Sequence, residues 1–271
     1  MFATTYKTIL CDLPRPHVAR ITLNREKQMN AYNGRMCQDL RAAIAAYRDD
    51  DELRALILTG AGTRAFCTGG DISGSDPEGR RQVAGRPMGH GREMRDGMQA
   101  VLTMLRSIDK PSVAMIDGYA VAGGLALALA CDFRFAGPNA KLGDTSNRFG
   151  LLPDEGGAWL FPRFMGYDRA LKMSLLHEIY DAETALRLGL VTELASEDLE
   201  GRTLDFCETL AAKAPLAVTA VKRAIRDGAA LPLNEALALE ALHFGTMVGT
   251  SDFREGTRAF LDKRKPAFEG R

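Results

Sequence analysis

Along the first half of the chain, short apolar runs alternate with longer segments whose apolar positions recur every three or four residues. Residues 5–11 (TYKTILC) and 18–23 (VARITL) flank the Pro-containing turn LPRPH and predict two strands. In NGRMCQDLRAAIAAYRDD, the spacing of Met36, Leu40, Ile44 and Tyr47 predicts a helix. LRALILTG (53–60) is nearly all apolar, as a strand buried on both faces should be. A further helix is expected to run to about residue 108. PSVAMIDG (111–118) and CDFRFAG (131–137) read as strands on either side of a helix opened by Gly123-Gly124. After about residue 155 the period is helical, with helices expected over 162–176, 182–188, 197–214, 217–227, 233–247 and 252–263. Alternating strands and helices predict an α/β fold, and the helix-rich last third suggests a packing or oligomerisation layer.

Composition narrows the class without naming a function. A chain of 271 residues that is 46% hydrophobic and 26% charged fits one large globular domain, or one domain with an appendage. Lys+Arg and Asp+Glu are equal at 35 each, so no net field favours nucleic acid or an anionic membrane. Five cysteines without a CxxC pair, and a start that lacks a signal-peptide core, point to a cytoplasmic protein with reduced thiols. The longest apolar run, 119–131, is too short and Gly-rich to span a bilayer. The four histidines have no metal-like spacing, so no metal is expected.

Candidate chemistry lies in four Gly-rich turns. LTGAGTRA (58–65) contains GxGxxA after a strand, but FCTGGDISGSDPEG follows instead of a helix, so a β-turn outweighs a dinucleotide site. AFCTGGD (65–71) and Ala122-Gly123-Gly124 are separate turns whose N–H groups would suit one developing oxyanion. GLLPDEGGAW (150–159) supplies carboxylates, Asp154 and Glu155. Their simpler role is to cap the following helix, and spacing alone favours capping. Residues 71–92 read as a polar loop carrying His90 and several arginines, which could either meet a substrate or face water.

LTGAGTRAFCTGGD, KPSVAMIDGYAVAGGLALALACDFRFA and GLLPDEGGAWLFPRFMG, in this order and spacing, resemble the crotonase (enoyl-CoA hydratase/isomerase) superfamily. The resemblance runs from ITLNREKQMNAYN near the start to SDFREGTRAFLDKRKPAFEGR at the end. It implies an α/β, crotonase-like spiral of repeated ββα units (1–200) with a C-terminal helical layer (201–271), assembled as a homotrimer or dimer of trimers. It implies an acyl-CoA thioester substrate, no cofactor beyond the CoA of that substrate, and no nucleic-acid or membrane partner. Gly70 and Gly123 would donate the oxyanion-hole N–H groups, and Gln28, Met29, Ala31, Gly70, Asp71 and Ile72 would line the CoA site.

The two glutamates of family hydratases are replaced here by Ala126 and Ser146. Asp154 falls where several family isomerases carry their single catalytic carboxylate. The resemblance therefore implies a shift of a double bond, with Asp154 as base in an apolar pocket near Leu151, Leu152, Trp159 and Phe161. Glu155 is the second candidate carboxyl, expected to point elsewhere if the helix begins there, and Asp144 remains open as a loop acid. Hydration by another water-activating group, a nucleophilic-carboxylate dehalogenase or hydrolase, and a non-catalytic acyl-CoA-binding relative are the alternatives.

Overall fold

A computed structural model describes residues 2, 4–73 and 89–271. Strands β1 (Ile9–Arg15) and β2 (Val18–Leu23) form an antiparallel hairpin at one edge of a six-stranded sheet. The sheet continues in parallel through β3 (Ala55–Gly60), β5 (Ser112–Ile116), β7 (Phe133–Ala136) and β10 (Glu193–Leu194). A second sheet pairs β4 (Ala65–Cys67), β6 (Tyr119–Val121) and β8 (Lys141–Gly143) in parallel, with β9 (Ile179–Asp181) antiparallel at its edge. Each successive unit therefore lends one strand to each sheet: β3 then β4, β5 then β6, β7 then β8. This is the expected ββα spiral.

Between β2 and β3 lies α1 (Gly34–Arg48), started by Asn33, whose side chain accepts the Met36 N–H. Its predicted stripe of Met36, Leu40, Ile44 and Tyr47 is buried. The helix expected before residue 108 is two helices, α2 (Gly89–Asp96) and α3 (Met98–Ser107), separated at Gly97. Most of the expected 71–92 loop, including Arg80, Arg81 and Arg86, lies outside the described residues. All eight residues of α4 (Gly123–Ala130) are buried, as a helix apolar on every side must be.

The long strands alternate sides. Leu56, Leu58, Ala114 and Ile116 join the main core with α4, whereas Ile57, Val113 and Phe135 face Leu204, Cys207 and Ala211. Those last three residues belong to α8 (Leu199–Ala211), which covers the outer face of the larger sheet. The boundary expected at 200/201 falls inside this helix.

The helix expected over 162–176 is α5 (Gly157–Met165) and α6 (Tyr167–Leu176), broken at Gly166 with its φ of 87°. The short α7 (Ala182–Arg187) follows β9. Beyond α8 come α9 (Pro215–Gly228), α10 (Leu233–Val248) and α11 (Ser251–Leu261). Lys222 on α9 donates to Asp132 Oδ2 at 2.6 Å and to the Lys110 carbonyl at 2.9 Å, tying this layer to the body. No residue of α10 is buried.

Candidate active site

Two turns, one after β4 and one between β6 and α4, meet where these strands of the second sheet end. Gly123 is the first residue of α4, so its N–H is among those that have no acceptor inside a helix. Ala122 before it holds φ 51° and ψ −125°, a conformation that costs a non-glycine residue about 1–3 kcal/mol. Strain of this size at one turn fits a backbone that is required to point its N–H groups in a set direction. The other turn follows β4. A Cβ built on Gly69 would lie 3.3 Å from the Gly123 nitrogen, which measures how closely the two turns approach. Gly70 pairs with Tyr32 in an isolated parallel bridge that uses the Gly69 carbonyl and the Asp71 N–H. Strand alternation leaves the Gly70 N–H on the side away from Tyr32. The turns that carry Gly70 and Gly123 thus approach each other closely.

The carboxyls are arranged differently from the expectation. Gly156, with φ 124°, is the N-cap of α5 and no side chain caps that helix, so neither Asp154 nor Glu155 serves there. Both lie in the turn before it, where the Asp154 N–H donates to the Leu152 carbonyl and Gln99 of α3 donates to the Asp154 carbonyl at 2.6 Å. Glu155, expected to point elsewhere, turns inward and is buried against Gly123: a Cβ on Gly123 would lie 2.3 Å from its Oε1. The Tyr32 hydroxyl donates to the same oxygen at 2.6 Å, while Oε2 is buried with no hydrogen-bond partner among the described residues. Burial raises the Glu155 carboxyl to about 7. The Tyr32 hydroxyl and the residue's own N–H oppose that rise, and the adjacent Asp154 carboxyl adds to it. Burial, with the Glu155 charge beside it, keeps the Tyr32 phenol protonated.

The apolar surroundings expected for the carboxylate are also corrected. Of Leu151, Leu152, Trp159 and Phe161, only Phe161 is buried. Trp159 faces outward, and the Arg163 guanidinium, one turn on, lies 3.6 Å over its ring. Ala126 is buried in α4. Ser146 is buried with its hydroxyl donating to Asp144 Oδ1 at 2.7 Å, and Asp144 Oδ2 has no partner among the described residues. His90 is exposed on α2, with Nδ1 3.5 Å from Glu93 Oε2.

The expected CoA segment is a tight left-handed turn: Met29 and Asn30 have φ of 53° and 54°. Arg25 clamps it to the oxyanion turn by donating to the Ala31 carbonyl and, at 2.7 Å, to Asp71 Oδ2. Ala31, Gly70 and Asp71 are thereby assembled at one edge, with Gln28 closing the preceding 3-10 turn and Ile72 exposed. Sequence reading missed Tyr32, Arg25 and Gln99. Tyr32 adjoins the expected CoA segment, yet it meets Glu155 across 123 residues, a separation no local pattern reports.

Among the described residues no group of side chains could hold a metal ion, and no helix is long and apolar enough to cross a membrane. All five cysteines are free thiols.

A two-layer ββα spiral whose glycine turns converge beside a buried carboxyl belongs to the enzymes of the crotonase superfamily. Residues 15–271 match the family model described as enoyl-CoA hydratase/isomerase, and the chain belongs to this family. It is 39% identical to (E)-benzylidenesuccinyl-CoA hydratase of Thauera aromatica, over 94% of this chain and 96% of that one. It is 32% identical to the 1,2-epoxyphenylacetyl-CoA isomerase of Escherichia coli K12, covering 94% and 95%. The crystal structure of an enoyl-CoA hydratase from Bacillus anthracis superposes with a TM-score of 0.90 at 32% identity, covering 98% of this chain and all of that one. The chain is accordingly an acyl-CoA enzyme of the enoyl-CoA hydratase/isomerase family.

Proposed function

We propose that the enzyme shifts a double bond in an enoyl-CoA, with Glu155 as the carboxyl that takes and returns the proton. The carrying observation is the Glu155 carboxyl against Gly123, with Oε1 on Tyr32 and Oε2 without a donor among the described residues. The Gly70 and Gly123 N–H groups receive the thioester oxygen; losing one such donor from an oxyanion hole costs about 2.7–4 kcal/mol. Glu155 removes a proton from C2 of a 3-enoyl chain, the electron pair moves into the thioester as a dienolate, and the proton returns to C4. The 2-enoyl thioester results. A carboxyl that titrates near neutrality serves both halves of this exchange. Asp154, the base implied by resemblance, stands beside Glu155 and raises its affinity for the proton.

Hydration is a second reading. It is favoured by the presence of two adjacent carboxyls and by the hydratase named among the relatives, with Asp154 then activating water. One assay separates the two. Purified protein is given a 3-enoyl-CoA and, separately, a 2-enoyl-CoA, beside Glu155→Gln and Asp154→Asn. A rise in thioester conjugation on the 3-enoyl ester, lost in Glu155→Gln, supports the isomerase. Loss of conjugation on the 2-enoyl ester, with none gained on the other, overturns it in favour of hydration.

The reading needs no cofactor beyond the CoA of its substrate. Free thiols and the bacterial relatives support a cytoplasmic location. Leu237, Leu242, Phe244 and Phe260 are exposed on α10 and α11, which supports assembly as a homotrimer or dimer of trimers.

A further inference from the structure

Tyr32 belongs to neither oxyanion turn nor to the carboxyl turn, yet it touches all three. Its N–H donates to the Gly69 carbonyl at 2.9 Å and its carbonyl accepts from Asp71 at 2.8 Å, so its backbone is fixed to the turn carrying Gly70. Its ring edges Gly123: a Cβ there would lie 2.8 Å from Tyr32 Cε1. Its hydroxyl holds Glu155 Oε1. A buried carboxylate ordinarily satisfies both oxygens, and an orphaned one costs about 1–3 kcal/mol. Here Oε1 accepts from Tyr32, while Oε2 has no donor among the described residues and the Asp154 carboxyl lies beside the group.

We infer that Tyr32 is a positioning residue that registers the Glu155 carboxyl against the oxyanion hole, occupying Oε1 so that Oε2 alone exchanges the substrate proton. This rests on the reading of Glu155 as the proton carrier and goes beyond it by assigning the two oxygens different tasks. Three features suit Tyr32 to the role. The phenol is held protonated, so it acts as a donor through the working range. The hydroxyl is carried on a rigid ring whose backbone moves with Gly70, which couples the carboxyl to one oxyanion donor through a single side chain. The same hydrogen bond opposes the rise that burial imposes on Glu155, which keeps the base form available near neutrality. Among the described residues Asp154 and Cys67 also face Glu155, and the Cys67 thiol is pushed up to about 12 by burial, so it stays neutral beside the pair.

The test is Tyr32→Phe, which keeps the ring and removes only the hydroxyl, compared with wild type and Glu155→Gln on the enoyl-CoA that wild type turns over. A misplaced carboxyl should lower kcat by about ten- to a hundredfold with KM unchanged. The acidic limb of the pH–rate profile should move upward by about one unit, because a bond to the charged form is lost. Infrared titration gives a readout without turnover: the protonated-carboxyl band absent from Glu155→Gln should titrate at higher pH in Tyr32→Phe. If kcat per folded enzyme, the limb and the band midpoint all match wild type, the inference is overturned, even when Tyr32→Phe lowers Tm. Full activity in Glu155→Gln would instead overturn the underlying assignment of the proton carrier. An inactive Glu155→Gln beside an unaltered Tyr32→Phe sinks the positioning role alone.

Discussion

The Glu155 carboxyl fills the space where Gly123 has no side chain, with Oε1 and the Tyr32 ring both inside the reach of a Cβ at that position. The missing methyl is therefore a condition for the carboxyl to lie beside the Gly123 N–H. Gly123→Ala should push Glu155 off Tyr32, lowering kcat by at least about a hundredfold and stability by about 1–3 kcal/mol through overpacking. Steady-state kinetics and urea unfolding check both, and a variant near wild type in kcat would show that the close approach is incidental.

Stability should carry the signature of Glu155. Its carboxyl titrates near 7 in the fold against an ordinary value of 4.5. Between those values the folded state binds more protons than the unfolded chain, so stability falls as pH rises through that window and is level above it. At about 1.4 kcal/mol per unit the loss is at most about 3 kcal/mol. Glu155→Gln abolishes this slope and should gain on wild type as pH rises from 4.5 to above 7. Urea midpoints for both proteins at the two ends of the window measure it; parallel pH curves would contradict the assignment.

Asn30 holds the turn beside the expected CoA edge. It has a φ of 54°, its Oδ1 accepts the Arg25 N–H, and its Nδ2 donates to the carbonyls of Ala61 and Ala65. Asn30→Ala leaves these groups unpaired and puts in left-handed backbone a residue that tolerates it less well than asparagine, a combined cost of about 3 kcal/mol. Asn30→Gly loses the hydrogen bonds but not the conformation, and should fall between the two. Thermal unfolding ranks the three proteins. Calorimetric titration with CoA should weaken in the same order.

The exposed apolar residues of α10 and α11 predict self-association. Light scattering on the eluting protein should give the mass of three or six chains, and Phe244→Glu, an exposed position, should shift it toward one. A single-chain mass for wild type at micromolar concentration would overturn the assembly.

Much of the architecture was legible because it is local. LRALILTG can sit only between two packed layers, and its alternate residues do face α4 on one side and α8 on the other. The β9 and β10 segments were missed because two or three residues carry no period, and their pairing partners supply the order. The breaks at Gly97 and Gly166 were passed over because apolar spacing continues across them while the backbone does not.

For the site, the amino-acid sequence by itself determined the two glycine turns, the acidic turn Asp154-Glu155 and the absence of carboxyls at Ala126 and Ser146. These are properties of short stretches, decided by residue type and spacing. Only the tertiary structure decided which acid faces inward. The turn ends at Gly156, α5 starts one residue later, and that geometry rotates Glu155 onto Gly123 where Tyr32 meets it. The orientation of one side chain in a turn depends on where the next helix docks, and docking is set by a core whose members lie far apart along the chain.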